Sequence, residues 1–161
     1  MQKGIERIRN SRIYLLDLIE DLTTEQLNEI PEGYNNNIIW NMGHLIASQQ
    51  SICYLRSGVK IFVDEEYLAS YKAGTAPNKF VERVEADQMK KLFITAIDQF
   101  DIDYEKCLFS NHPHWKTNYG IEVANMEDAI SFVLFHEGLH VGYIMALRRF
   151  LISKKSATSN Q

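Results

Sequence analysis

Residues 131–151 read SFVLFHEGLHVGYIMALRRFL. Apolar residues recur there at helical spacing, and within the stretch HEGLH (136–140) fits the pattern H-E-x-x-H. On a helix that pattern sets two histidines on one face, the arrangement by which zinc proteases hold their metal, with the glutamate as general base. A catalytic zinc site of that class needs a third protein ligand. In the extended form H-E-x-x-H-x-x-G-x-x-H the ligand follows on the same strip of chain. Here the corresponding glycine and histidine positions are Tyr143 and Ala146, and no Asp, Glu or His follows His140 in this sequence. A third ligand must come from earlier in the chain, which is not the protease layout. Di-iron carboxylate bundles need Glu-x-x-His twice, plus further glutamates from facing helices. Glu137 and His140 form one such motif, and none of the other four histidines has a Glu three residues before it.

His136 and His140 remain as a pair one helical turn apart, on one face of the helix. Ala129, Phe132 or Val133, Tyr143 or Ile144, Leu147 and Leu151 share that strip, so both imidazoles point toward a core. Neutral histidines in a core need hydrogen-bond partners or a metal. His44, in WNMGHLIAS, lies one turn from Trp40 and Ala47 on another inward strip. If those two helices are neighbours, three histidine nitrogens can converge on one cation. Three such ligands with an open position suit Zn, Ni or Fe(II) and leave room for water or substrate. The plainer reading keeps the histidines as hydrogen-bonded core residues, and the spacing alone does not separate the two. Glu137 sits about 100° from His136 on the helix wheel. We expect it beside the site or at the surface rather than in a catalytic role. His112 and His114 flank Pro113 in SNHPHW and are expected in an exposed loop. Trp40 is expected in the core or as a pocket wall.

Working outward, four segments carry helical periodicity, and no convincing strand stands out. The first runs from Gly4 to Asp21, with Ile5, Ile8, Ile13 or Arg12, Leu15, Leu16 and Ile19 near helical spacing. Thr23 and Gln26 have the spacing of a capping box, and PEGYNNN (31–37) is a run of turn formers. The second helix is predicted from Asn37 to a stop at Gly58, the third from Val81 to Phe100, and the fourth from Asn125 to Ile152. Residues 59–79 read as a long crossover. The expected fold is all-α: a four-helix bundle with long crossover connections, not a simple up-down-up-down series. It is expected as one domain over residues 1–152, with a polar, frayed tail at 153–161.

The chain has 161 residues, 45% apolar and 24% charged, the composition of an ordinary globular domain. Its net charge of −4 offers no basic field for nucleic acid. MQKGIERIRN has no apolar core of a signal peptide, and no apolar run is expected to span a membrane. We therefore expect a cytoplasmic protein in which Cys53 and Cys107 stay reduced.

Three stretches, NNIIWNMGHLIASQQSICYLRSG, YKAGTAP and GIEVANMEDAISFVLFHEGLHVGYIMALRRFL, resemble the DinB-like superfamily of bacterial damage-inducible proteins (not the DNA polymerase that shares the name). The resemblance spans about Asn35 to Leu151 and rests on W-x-x-x-H-L and H-E-x-x-H-x-G. It implies a four-helix bundle with a long crossover and a mononuclear metal on His44, His136 and His140. It further implies a small-molecule substrate, a homodimer, and a low-molecular-weight thiol as cofactor. Characterised relatives resemble thiol-dependent S-transferases and isomerases that use bacillithiol or mycothiol. The expected activity is a metal-dependent S-transferase or hydrolase in stress or detoxification. The alternative is a non-catalytic, metal-stabilised bundle that binds a partner.

Overall fold

The structure, a computed structural model, describes residues 2–158, with side chains as far as Ser153. Helices form at α1 (Lys3–Leu18), α2 (Thr24–Asn28), α3 (Ile38–Gln49), α4 (Glu65–Tyr71), α5 (Arg83–Glu105) and α6 (Met126–Thr158). α3 continues into a wide π-helical turn over Gln50–Leu55. Two-residue strands β1 (Trp115–Lys116) and β2 (Glu122–Val123) pair antiparallel. The fold is all-α apart from this hairpin.

Local chemistry sets the ends. The Asn37 side chain accepts from Trp40 N at 2.9 Å and starts α3. Asn125 does the same for Asp128 N and starts α6. Thr23 and Gln26 form the expected capping box at α2. Gly58, at φ 69°, takes the left-handed conformation that closes the helical run after Leu55.

α1, α3, α5 and α6 make the bundle. Each of α1 and α3 packs on both α5 and α6. Arg9 pairs with Asp98 and Gln2 with Asp101, so α1 and α5 run antiparallel. Gly4 meets Ile130, and Asp21 meets Arg148, so α1 and α6 run parallel. His140 meets Asn41 while His136 meets His44, so α3 and α6 run antiparallel. The order is therefore up, down, down, up. The two consecutive down helices, α3 and α5, require the long crossover, and that crossover carries α4.

Five expectations need correction. α4 lies inside residues 59–79, which carry too few turns for a period to show; Asp64 caps it by accepting from Tyr67 N at 2.7 Å. The hairpin is missed because two-residue strands have no visible alternation. α5 runs past Phe100 to Glu105. α6 runs past Ile152 to Thr158, since SKKSAT holds no Gly or Pro to stop it. The last three residues of the expected tail lie outside the described residues. Finally, Met126–Ser153 is long and apolar enough, by length and composition, to cross a membrane, with a mean hydropathy of 1.4 over an 18-residue stretch within it. The expectation sought an unbroken apolar run, whereas an average tolerates Glu137 and two histidines. In this fold the same helix packs on α1 and α3. Cys53 is buried and Cys107 exposed, and both are free thiols. Burial pushes the Cys53 thiol pKa up.

Candidate metal centre

The face that α3 turns toward α6 carries Trp40 and His44. The two rings stack with centroids 4.9 Å apart and planes 8° apart. His44 Nδ1 lies 2.7 Å from the backbone oxygen of Tyr71. A carbonyl can only accept, so Nδ1 carries the proton and Nε2 keeps its lone pair. The same logic fixes His140, whose Nδ1 lies 2.7 Å from Asn41 Oδ1. Asn41 Nδ2 donates to Asn37 O at 2.6 Å and to Asn36 Oδ1 at 3.1 Å, which leaves Oδ1 facing the imidazole. His44 Nε2 and His136 Nε2 lie 3.3 Å apart. The three histidines each offer one ligand atom, and these atoms lie within 4.8 Å of one another.

The donor set fits a cation. Two nitrogens each about 2.0–2.1 Å from a tetrahedral metal lie about 3.3–3.4 Å apart, and the His44–His136 separation matches. A hydrogen-bond acceptor on the far nitrogen of a ligating histidine fixes its tautomer and raises its basicity. Tyr71 O and Asn41 Oδ1 are the acceptors that stand behind His44 and His140.

The sequence matches the DinB superfamily over residues 7–144, a span that includes all three histidines. The chain belongs to the DinB superfamily. No curated protein matches it.

In this DinB-superfamily chain the sequence-predicted residues separate cleanly. His44, His136 and His140 come together. Trp40 is buried and forms a wall behind His44. Glu137 is not at the surface. It is fully buried and accepts from Arg12 Nε at 2.9 Å and Nη2 at 2.7 Å. Burial pushes its pKa up, and the Arg12 charge draws it back down. The wheel turned Glu137 away from His136, but its partner lies 125 residues earlier, which no local pattern reveals.

His112 is also corrected: it is buried, not exposed. Ser57 Oγ donates to Cys53 O at 2.8 Å, His112 Nδ1 then donates to Ser57 Oγ at 2.9 Å, and Trp115 Nε1 donates to His112 Nε2 at 3.3 Å. Every donor is used, so this Ser–His contact holds the hairpin and is no nucleophile. His114 is exposed as expected, 3.2 Å from Glu122. Three sizeable cavities, of about 870, 510 and 350 Å³, are lined by none of the three clustered histidines.

Burial pushes all three pKa values down, with the neighbouring rings adding to the effect at His136 and His140. His136 falls to about 3 and His140 to about 4, and His44 is lowered as well. In the unfolded chain each would titrate near 6.5. Between those limits the unfolded state binds more protons, so stability rises with pH. The metal-free protein should therefore be fully stabilised above about pH 6.5 and lose stability progressively as pH falls toward 4. Chemical denaturation across that range in the presence of chelator checks this. A flat profile between pH 4 and 6.5 would contradict neutral burial.

Gly43 deserves its place beside His44. A Cβ there would come within 2.7 Å of the Tyr71 ring, closer than real Cβ atoms approach. The glycine lets α4 settle on α3, and that contact brings Tyr71 O to His44. Gly43→Ala should destabilise the fold by about 1–3 kcal/mol, the usual cost of overpacking. It should also weaken metal binding by displacing the acceptor behind His44. Urea melts and a chelator competition check the two effects.

Proposed function

We propose that the chain holds one divalent metal on His44, His136 and His140 and serves a small-molecule reaction in which a thiol, or water, attacks an electrophilic substrate. The observation that carries the reading is the convergence of three imidazoles: two of them have Nδ1 committed to an acceptor, and the Nε2 atoms of His44 and His136 face each other at 3.3 Å. Zn, Ni or Fe(II) suits three imidazoles. When bound, such a metal acts as a Lewis acid that lowers the pKa of a coordinated thiol or water.

The protein's own residues supply the rest. Tyr71 O and Asn41 Oδ1 orient the two rings. Trp40 covers one face of His44 and excludes water from it. No Asp, Glu or Cys joins the three-histidine group among the described residues, which supports a position left for an outside ligand. In S-transfer the thiol gives up its proton to solvent. Its sulfur forms the new C–S bond, and the leaving group departs with its electron pair. The chain's net negative charge favours a small-molecule substrate over nucleic acid. The superfamily resemblance supports a homodimer.

Reconstituting chelator-treated protein with Zn, Ni or Fe(II) and following transfer of a cysteine-derived thiol to a chlorodinitrobenzene tests the reading. Metal-dependent turnover supports it. One equivalent of bound metal with no thiol transfer or ester hydrolysis would instead favour a metal-stabilised binding bundle.

A further inference from the structure

We infer that Arg12 and Glu137 are positioning residues of the three-histidine centre, a buried clasp that sets the register of α3 against α6. The inference rests on the metal reading above, and it concerns residues outside the ligand set.

Arg12 occupies a position in the buried stripe of α1 that an apolar residue would ordinarily fill. It is fully buried, between Ile8 and Leu15. Its guanidinium reaches all three other bundle helices. It donates to Glu137 on α6, to the Phe93 backbone oxygen on α5 at 2.9 Å, and to the Leu45 backbone oxygen on α3 at 3.3 Å. The Phe93 ring also lies beneath it, 4.7 Å from the guanidinium carbon. The placement of two of these contacts is informative. Leu45 directly follows His44, and Glu137 directly follows His136. One rigid, planar group therefore spans the backbone next to one histidine and the side chain next to another. Among the described residues Glu137 Oε2 is buried with no hydrogen-bond partner, and Arg12 alone holds that carboxylate.

A clasp of this kind differs from packing. Apolar side chains fill volume but tolerate small slides along a helix, whereas a forked guanidinium fixes directions and distances. Buried ion pairs are often no more stabilising than apolar groups of similar volume, and setting register is their best-attested use. The separation that register governs here is the 3.3 Å between His44 Nε2 and His136 Nε2. A slide of an ångström along α6 would spoil it.

Co(II) is the probe, because its d–d absorption reports coordination geometry apart from activity. The paired variant Arg12→Met with Glu137→Leu removes both charges and keeps an apolar core. It should keep the helical circular dichroism of the parent, yet bind Co(II) roughly 10- to 100-fold more weakly, the usual cost of losing groups that orient ligands. Its d–d band should shift. Arg12→Lys is the second variant. It retains the charge opposite Glu137 but cannot hold the Leu45 and Phe93 carbonyls together, and it should show the same shift with at least a tenfold loss of affinity. A folded variant of either kind with parental affinity and spectrum overturns the clasp and leaves the metal reading intact. Parent protein that binds no Co(II) overturns both.

Discussion

His44→Ala should cost the protein most of its affinity for a divalent metal, although His44 lies 92 residues before His136 and outside HEGLH. The remaining pair, His136 and His140, sits one turn apart on a single helix and presents two ligands from one side. Zinc sites release about 10–16 kcal/mol over four ligands, so one imidazole accounts for roughly 3 kcal/mol, or about 10²-fold in affinity. The substitution also leaves Tyr71 O without its imidazole donor and Trp40 without its stacked ring. Competition with a chelator of known affinity, with circular dichroism to confirm the helices, measures the loss. His112→Ala is the matched control, because His112 is bonded to Ser57 and Trp115 and lies outside the cluster. Full metal retention in His44→Ala, with loss in Glu137→Gln, would replace the three-histidine site by one centred on Glu137 and His140.

Glu137→Ala is the most destabilising single change we expect. It removes the only anion that, among the described residues, pairs with a guanidinium that has no exposure to solvent. Breaking a buried pair from one side costs about 3–5 kcal/mol, because the surviving charge cannot reach water. Domains hold about 5–15 kcal/mol in total, so the variant keeps little margin. At this chain length each kcal/mol moves the melting temperature by roughly 2–4 °C, and a drop of about 10 °C is expected by calorimetry. Glu137→Ala together with Arg12→Met should recover much of it, since no charge is then stranded. A drop of only 1–2 °C in the single variant would show that water reaches Arg12.

The four bundle helices were legible because each is long enough to show its period. Asn37, Asn125 and Gly58 mark ends by chemistry that acts within one turn. The hidden features are those whose cause lies far along the chain or whose length is too short. α4 spans two turns and is held by Tyr71 lying over Gly43. The hairpin pairs Trp115 with Val123 and has no room for alternation. His112 sits in a polar loop, and its burial comes from Ser57, 55 residues earlier. At the site, histidine spacing and the inward strip of α3 brought His44, His136 and His140 forward as candidates, and the superfamily resemblance implied the same three as ligands. Their supports were not named. Asn41 could have been noticed as a polar residue one turn before His44 on the same inward face. Tyr71 O is a backbone atom, for which side-chain identity gives no signal. Arg12 did carry a signal, a cation in an apolar stripe, but Ile13 next to it offered an equally periodic alternative.

The claim that the three histidines form a metal centre is tested most directly by X-ray absorption on the purified, metal-loaded protein. The account predicts one divalent metal per chain, three imidazole nitrogens at about 2.0–2.1 Å, and at least one light-atom ligand that the protein does not supply. A shell containing sulfur from the chain, a carboxylate in place of an imidazole, or fewer than three imidazoles would contradict it.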